Sequence, residues 1–246
     1  MRLTYPRMSA RRQLRRAIPQ PVRQRLYDWS PSRKRRWREV PGLENAPAAA
    51  SVVLTFDDGP DPSCTPQVLE ALNQAGAKAT FFVLGRHVAE DPGLAREMLA
   101  EGHELALHGM THRHHDQLSL EEAEAELRDG SEAIESAIGQ RPTWYRPPFG
   151  SASPELADLC VKHGLGLAYW SAWGQDWEDS SAARIAGLVR RDLSPGTIVL
   201  LHDSARYGQR DDAEATVGSI PLIAAAARKE GLELVSLSTA VSDHAA

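Results

Sequence analysis

Residues 52–60 read Val-Val-Leu-Thr-Phe-Asp-Asp-Gly-Pro, a short apolar run that ends in two adjacent carboxylates. The β-branched and aromatic side chains of this run are typical of a buried β-strand. In a dinucleotide-binding fold the first strand is followed by Gly-x-Gly-x-x-Gly, and this stretch has no such motif. Asp57 and Asp58 instead offer carboxylates where that fold would offer bare backbone. The stretch therefore favours a barrel with a metal site over a nucleotide site.

Six further apolar runs follow along the chain, and amphipathic helical stretches separate them. The predicted strands are 52–56, 79–84, 104–107, 143–146, 167–171, 197–202 and 233–237. The predicted helices are 66–74, 93–100, 119–138, 154–163, 182–192 and 219–229. Repeated βα units predict a parallel α/β barrel or a doubly wound open sheet. Because the first strand ends in carboxylates, we favour an α/β barrel with about seven parallel strands in a single domain.

The first residues differ in charge from the rest of the chain. Residues 1–40 hold 13 Lys and Arg against two acidic residues, whereas the remainder carries 15 basic and 31 acidic groups. We therefore divide the chain into a basic, proline-containing N-terminal extension, residues 1–46, and a catalytic domain, residues 47–246. The extension is either a solvated tail or, through residues 1–40, a contact with an anionic membrane surface or another polyanion. No specific nucleic acid is indicated.

The sequence predicts a cytoplasmic protein, peripheral to the inner face of the membrane if the basic extension binds there. The arginine-rich start lacks the apolar stretch that a secretory signal needs. No run approaches the ~18 apolar residues of a transmembrane helix. Cys64 and Cys160 are too few for a disulfide framework, although a single disulfide between them stays open. We expect both to be small core residues.

Polar clusters follow the predicted strands, at the ends that a parallel barrel gathers on its catalytic face. These clusters are residues 55–60, 107–112, 146–150, 175–177 and 200–203. Five such clusters at one rim are difficult to explain by the requirements of folding alone. The sequence therefore predicts a single site that draws side chains from several strands.

The first two clusters contain candidate metal ligands. Asp57 and Asp58 could be simple turn residues, but buried neighbouring carboxylates repel each other unless a cation offsets their charge. His108 and His112, four residues apart, would share one face of a helical turn and could hold one metal ion. Two histidines and one carboxylate leave a coordination position for water, which is typical of a catalytic zinc site.

The other clusters are open to a structural interpretation when each is taken alone. Arg146, followed by two prolines, could be an ion pair at the barrel rim, and His202 could be a satisfied core histidine. His114 and His115, just beyond the candidate ligands, are expected to face solvent. These structural interpretations would all have to hold together, so we favour a catalytic site.

The ordered set of motifs closely resembles the NodB-type polysaccharide deacetylases of carbohydrate esterase family 4. The motifs are Thr-Phe-Asp-Asp-Gly-Pro, His-x-x-x-His, Arg-Pro-Pro-Phe-Gly, Asp-Trp and Leu-Leu-His. Residues 79–85 and 102–105 also resemble that family's intervening segments, and the resemblance covers about residues 50–240. It implies a distorted barrel and a metal-dependent hydrolase that removes N-acetyl groups from amino-sugar polymers or their precursors.

The resemblance also implies a role for each matched residue at the metal. Asp57 would be the general base, and Arg146 would hold and orient its carboxylate. Asp58, His108 and His112 would bind zinc or another divalent metal such as cobalt or nickel.

Further matched residues would act on the substrate. Asp176 would tune His202, the general acid that protonates the leaving amine. The backbone N–H of Phe149 would help to stabilise the oxyanion. Leu200 would line the pocket for the acetyl methyl group, and Trp177 would form a wall of the groove.

Three positions depart from the family pattern without removing a ligand, base or acid. Gly109 stands where the family usually has Ser or Thr, so a bracing hydrogen bond in this loop is either missing or supplied by Thr111. Trp173 stands where the fourth motif usually has an Asp. Phe149 replaces the commoner Tyr, which matters little if only its backbone acts. The first two departures bear on the shape of the substrate groove.

Two other functions stay open on the sequence. The same metal site could act on a small amide that is not a glycan, because a fold does not determine a substrate. Alternatively, the chain could be a non-catalytic protein that binds polyanions through its basic extension. The intact set of charged residues and histidines favours the deacetylase.

Overall fold

The computed structural model describes residue 40 and residues 42–242, and this part of the chain contains eight strands and eight α-helices. The strands are β1 (Ser51–Asp57), β2 (Ala79–Val83), β3 (Glu104–Leu107), β4 (Trp144–Tyr145), β5 (Gly166–Leu167), β6 (Ala172–Trp173), β7 (Ile198–His202) and β8 (Glu233–Leu234). The helices are α1 (Thr65–Gln74), α2 (Gly85–Glu90), α3 (Pro92–Ala100), α4 (Leu120–Ile138), α5 (Pro154–Lys162), α6 (Ala182–Arg191), α7 (Glu214–Lys229) and α8 (Leu237–Ser242). Short 3-10 turns cover His115–Gln117 and Pro148–Gly150.

Seven strands form one parallel sheet in the order β5-β4-β3-β2-β1-β7-β6, and β8 pairs with the start of β1. Laid flat, seven strands would be about 29 Å wide at the usual spacing. The edge strands β5 and β6 are nevertheless joined only by residues 168–171, a link that reaches at most about 18 Å. The sheet must therefore curl until its edges approach each other. This architecture confirms the predicted distorted (β/α) barrel.

The strand β1 lies inside the sheet and brings two polar clusters together. It is buried along its whole length, from Ser51 to Asp57. Across the β1–β7 pair, Asp57 lies opposite His202 and Thr55 lies opposite Leu200. Register partners in adjacent strands point to the same face of a sheet, so these side chains share one side of the barrel.

The pairing of β3 with β4 brings two more polar clusters together. Leu107 and Tyr145 are register partners at the ends of these strands. The residues that follow them, His108 and Arg146, therefore begin adjacent loops at the same rim. Topology thus gathers the predicted functional segments at the carboxyl ends of the strands.

The predicted fifth strand, residues 167–171, is wrong as one element. It is replaced by β5 and β6, two residues each, at opposite edges of the sheet. Its apolar character comes from burial of Ala168, Tyr169 and Trp170 at the place where the chain crosses between the edges. An apolar run indicates that a segment is buried, but it does not show whether that segment is a strand or an irregular connection.

The helices follow local signals in the chain. Ser119 caps α4 in a capping box: its hydroxyl accepts from the N–H of Glu122, and the Glu122 carboxylate accepts from the N–H of Ser119. The last predicted helix begins earlier than expected, at Glu214, with Pro221 inside it. Two short helices, α2 and α8, were not predicted because six residues are too few to show helical periodicity.

The N-terminal extension lies mostly outside the described residues, and its predicted contact with an anionic surface lies there too. Within the described part, the N–H of Leu43 donates to Leu167 O at 2.8 Å, and the N–H of Ala46 donates to Gly196 O at 2.8 Å. The packed domain therefore includes residues before the predicted boundary at residue 46. None of the helices in the described part is apolar and long enough to span a membrane.

Candidate functional site

Arg146 and Asp57 form a fully buried ion pair at the centre of the site. The Nη1 of Arg146 lies 2.7 Å from Oδ1 of Asp57 and donates to Thr55 Oγ1 at 2.7 Å. Its Nη2 donates to the backbone oxygen of Tyr169 at 2.6 Å. A guanidinium is the only side chain that can supply this many donors in a rigid plane. The structure therefore brings together the two residues that the sequence predicted as base and orienting arginine.

The Arg146 side chain is enclosed by apolar groups. Its Cζ lies 3.9 Å from the ring centroid of Phe82 and 5.5 Å from that of Trp170. Burial lowers the pKa of Arg146, and the neighbouring Asp57 opposes that effect. An arginine remains charged under these conditions because its ordinary pKa exceeds 12. Arg146 is therefore a fixed cationic partner for the Asp57 carboxylate.

Asp58, His108 and His112 converge on one point. The Oδ1 of Asp58 lies 3.5 Å from Nε2 of His108 and 3.2 Å from Nε2 of His112. The three potential ligand atoms all lie within 4.8 Å of one another. Burial alone would raise the pKa of Asp58, but the nearby His108 and His112 lower it by more. This pKa therefore lies well below its ordinary value. The predicted ligand set is therefore assembled in space.

The chemistry of these donors fits a divalent metal ion. Asp58 Oδ1 is buried and has no hydrogen-bond partner among the described residues. His108 Nδ1 lies 2.7 Å from the carbonyl oxygen of Arg146, which can only accept, so Nδ1 carries the proton. In neutral His108 the lone pair on Nε2 then points at Asp58. Two lone-pair donors facing each other in a buried site are stabilised by a cation between them.

The predicted helical turn from His108 to His112 is wrong, because residues 108–112 form a loop. Gly109 has a φ of +96°, in the left-handed region that favours glycine. A Cβ at this position would lie 2.6 Å from Cε1 of His115. The glycine that departs from the family pattern therefore permits this particular loop path.

Thr111 supplies the brace that the sequence left open. Its N–H and its hydroxyl each donate to the Glu126 carboxylate at 2.6 Å. Glu126 lies on α4 and is buried, with 6% of its surface exposed. The sequence contained no motif for Glu126, because its part in the site depends on packing of α4 against the loop.

Three further residues around the candidate metal ligands were not predicted. The ring of Tyr207 stacks on His112 with centroids 4.2 Å apart. His87 is buried, and its Nδ1 lies 3.0 Å from the backbone oxygen of Asp58. Arg86 donates from Nε to His87 Nε2 at 3.1 Å and from Nη2 to the Tyr207 hydroxyl. These residues connect the backbone of one candidate ligand to the ring of another.

His202 and Asp176 form the second charged pair of the site. His202 Nδ1 lies 2.8 Å from Asp176 Oδ1, and the His202 N–H donates to Asp176 Oδ2 at 2.9 Å. Burial lowers the pKa of His202, but the Asp176 carboxylate outweighs it and raises that pKa to about 9. Burial raises the pKa of Asp176, while His202 and Arg210 lower it to about 2. At neutral pH the pair is therefore an imidazolium and a carboxylate.

Two further residues, Arg210 and Thr216, contact Asp176 and were not predicted. Arg210 Nη1 lies 3.4 Å from Asp176 Oδ2, and the Thr216 hydroxyl donates to the same oxygen at 2.7 Å. Arg210 Nη2 also donates to the backbone oxygen of His202 at 2.7 Å. Asp176 thus has partners on both oxygens, which holds its carboxylate in one orientation.

The predicted substrate-contacting residues are Trp177, Leu200 and Phe149. The ring of Trp177 meets His202 edge-on with centroids 5.6 Å apart, and Trp173 lies 5.5 Å from Trp177. Leu200 lies two residues before His202 on β7 and so projects on the same side. Phe149 has a positive φ of 62° and is half exposed, with its ring 4.4 Å from that of His112. Trp177 therefore contacts His202, Leu200 lies on the same side of β7 as His202, and Phe149 lies beside the candidate ligand His112.

The prediction that His114 and His115 both face solvent is half wrong. His114 is exposed and stacks on Phe149 with centroids 3.8 Å apart. His115 is buried, and its Nδ1 pairs with the Tyr145 hydroxyl. Burial, together with the nearby His108, lowers the pKa of His115 to about 3, so this side chain is neutral.

The two cysteines are free and buried, as expected for core residues. Burial raises the pKa of the Cys160 thiol to about 12, so it carries no thiolate at neutral pH. Neither cysteine lies among the converging side chains of the site.

Comparisons with known proteins identify the family of this chain. Residues 44–168 match the polysaccharide deacetylase family. A chitooligosaccharide deacetylase of Bradyrhizobium sp. (strain ANU 289) is 40% identical and covers 75% of this chain and 87% of its own length. The crystal structure of the Bc1960 peptidoglycan N-acetylglucosamine deacetylase matches with a TM-score of 0.78 and 27% identity over 83% of this chain and 94% of that one. A Bacillus anthracis pseudoenzyme of carbohydrate esterase family 4 matches with a TM-score of 0.73 and 25% identity over 81% of this chain and 68% of that one.

The curled parallel sheet, with the candidate site at the carboxyl ends of its strands, defines an α/β protein of the distorted-barrel class. The chain belongs to the polysaccharide deacetylases, the NodB-type enzymes of carbohydrate esterase family 4.

Proposed function

We propose that this protein hydrolyses the N-acetyl groups of N-acetylated amino-sugar polymers or their precursors, in a metal-dependent reaction. The observation that carries the proposal is that Asp57 and His202 lie opposite each other on adjacent strands, beside the candidate metal ligands. Asp57 is held by Arg146, and His202 is held by Asp176. Amide hydrolysis needs one group that accepts a proton from water and another that donates a proton to the leaving amine. These two pairs supply both groups.

Asp58, His108 and His112 would hold the metal ion. When bound, a zinc ion or a related divalent metal would polarise the amide carbonyl and acidify water. The mixed nitrogen and oxygen donors suit zinc, although cobalt or nickel could occupy the same set.

Asp57 would act as the general base. Its Oδ1 is occupied by Arg146, while Oδ2 lies 3.9 Å from Nε2 of His108, on the side of the ligand set. The oxygen that faces the ligands is therefore the one available to accept a proton from the attacking water. Arg146 keeps the carboxylate in this orientation.

His202 would act as the general acid. Its Nδ1–H is directed to Asp176, so Nε2 is the nitrogen left to donate a proton to the amine. A pKa of about 9 keeps the ring protonated at neutral pH. Leu200 would line the pocket for the acetyl methyl group, Trp177 would form a wall of the groove, and the N–H of Phe149 would stabilise the developing oxyanion.

The glycan substrate class is supported by the relatives. Their names specify chitooligosaccharide and peptidoglycan N-acetylglucosamine, which share an N-acetylated glucosamine unit. We propose that this shared unit is what the present site receives.

The pseudoenzyme relative shows that this fold also occurs without a competent site. In the present chain the two charged pairs and the ligand set are complete, which favours catalysis over a purely binding function. A small amide as substrate would use the same residues, and only a comparison of substrates separates it from a glycan.

The experiment that tests the proposal is acetate release from N-acetylglucosamine oligomers and from peptidoglycan fragments, with metal-stripped protein before and after addition of zinc. We expect release that depends on zinc and is abolished by Asp57→Asn. Release that persists in Asp57→Asn would refute the assigned base. Zinc binding with turnover of small amides, but of neither glycan, would refute the substrate class.

A further inference from the structure

Glu126 on α4 is a buried carboxylate that faces the loop carrying both candidate histidine ligands. Its Oε2 accepts from the N–H of Thr111 and its Oε1 accepts from the Thr111 hydroxyl, each at 2.6 Å. Its backbone oxygen accepts from the N–H of Met110 at 3.1 Å. One helical residue thus holds two consecutive residues of the loop between His108 and His112.

Backbone hydrogen bonds from α2 also hold the middle of this loop. The N–H groups of Gly85 and Arg86 donate to the oxygens of Gly109 and Met110 at 2.9 and 3.1 Å. Gly130, one turn further along α4, packs so closely that a Cβ there would lie 3.0 Å from the carbonyl carbon of Gly109. Gly109 has no side chain and cannot form a side-chain hydrogen bond with α4. Within this loop, Thr111 forms the hydrogen bonds to the Glu126 side chain of α4.

The burial of Glu126 requires an explanation beyond packing, since burying a carboxylate is costly unless its oxygens are satisfied. Its nearest cationic group, Nη1 of Arg113, is 3.9 Å away on a side chain that is half exposed. Nε2 of His115 is 3.7 Å away, on a ring whose lowered pKa leaves it neutral. The two bonds to Thr111 are therefore the main interactions that satisfy this carboxylate.

We infer that Glu126 is a positioning residue for the metal site. By fixing Met110 and Thr111, it sets the path of the loop that presents Nε2 of His112 to Asp58 at 3.2 Å. The inference rests on the proposed function, since it takes Asp58 and the two histidines as the ligands. Removal of a hydrogen-bond partner of a ligand itself typically changes metal affinity 10–100-fold, and Glu126 acts one residue further back, so we expect the lower end of that range.

The test measures the zinc dissociation constant of the full chain at 25 °C, by competition with a chromophoric chelator. The variants are Glu126→Gln, Thr111→Val and the two combined. Glutamine offers one acceptor in place of two, and valine removes only the hydroxyl, so we expect each single change to weaken zinc binding about 10-fold. The double variant should lose much less than the product of the two effects, because both changes break the same contact.

Glu135→Gln is the matched control. Glu135 lies on the same helix in an exposed ion pair with Arg141, so its neutralisation should leave zinc affinity unchanged. The thermal midpoint of the metal-free variants separates positioning from stability. A purely structural residue would lower that midpoint and leave the zinc affinity of the folded protein as it was.

Zinc binding by Thr111→Val within about twofold of wild type would overturn the inference, whatever Glu126→Gln does, because the charge of Glu126 alone would then explain the loss. If Glu126→Gln fails to fold, the zinc affinity of Thr111→Val still tests the inference. Failure of the proposed function looks different: the wild-type chain would bind no zinc, or Asp58→Asn would bind it as tightly as wild type.

Discussion

Asp57 and His202 lie opposite each other as register partners at the carboxyl ends of the adjacent parallel strands β1 and β7. Each has a partner of opposite charge: Arg146 holds Asp57, and Asp176 holds His202. In the proposed reaction Asp57 accepts a proton and His202 donates one, and this proposed division of roles follows from the partner that each strand end meets. Pairs of titratable groups with opposed environments are typical of acid–base catalysis.

Arg146→Lys should lower kcat about 100-fold, because displacement of a reactive group by about 1 Å costs a factor of this size. Lysine keeps the positive charge but cannot reach Asp57, Thr55 and the backbone of Tyr169 at once. Acetate release under substrate saturation measures the effect. Arg141→Lys, in an exposed pair with Glu135, is the control and should retain wild-type kcat. An unchanged kcat in Arg146→Lys would mean that only charge matters at this position.

Asp176→Asn should move the alkaline limb of the pH–kcat profile to lower pH. Asp176 raises the pKa of His202 to about 9, so the acid form persists through neutral pH and is lost as pH rises through that value. With asparagine in its place, burial lowers the pKa and the acid form is lost earlier. At pH 8 we expect kcat to fall about 100-fold, the usual contribution of a general acid. A limb that stays in place would show that another group donates the proton.

Asp58→Asn should weaken zinc binding by more than about 100-fold, beyond the range expected for residues that only support ligands. The substitution replaces a buried carboxylate whose Oδ1 has no hydrogen-bond partner in the described part of the chain. Chelator competition measures it, and Asp158→Asn on the exposed side of α5 should bind zinc normally. Equal affinity for zinc in both variants would remove Asp58 from the ligand set.

Gly109→Ala should destabilise the fold by roughly 1–3 kcal/mol, the usual cost of a strained backbone conformation. Its φ of +96° is disfavoured for alanine, and the new Cβ would lie 2.6 Å from Cε1 of His115. The free energy of unfolding in urea gives the magnitude. At Gly187, within α6, no described atom lies within 4 Å of an added Cβ, so Gly187→Ala should stabilise by about 0.5–1 kcal/mol. Equal effects at the two sites would contradict the strain argument.

Part of the site could be predicted from the sequence because the patterns that indicate it are local. The run before Asp57 is apolar and β-branched, and polar motifs follow the predicted strands, so parallel topology was enough to place Asp58, His108, Arg146 and His202 at one rim. The same local logic predicted the N-cap at Ser119.

The loop between His108 and His112 could not be read in this way. A spacing of four residues suits a helical turn, but the contacts of this loop with α2 and α4 and the left-handed Gly109 give it another path. Tyr207 and Arg210 were missed for a related reason, since each acts on a residue far away in the chain.

The sequence by itself determined the βα alternation, the residue types at the strand ends and hence the family and the candidate chemistry. Only the tertiary structure decided which atom of each residue faces which partner. It directs Nδ1 of His108 to the carbonyl of Arg146 and the Glu126 carboxylate to Thr111. The physical reason is range: periodicity and turn preferences act over a few residues. Hydrogen bonds and ion pairs depend on distances of about 3 Å, which are set only when elements far apart in the chain pack together.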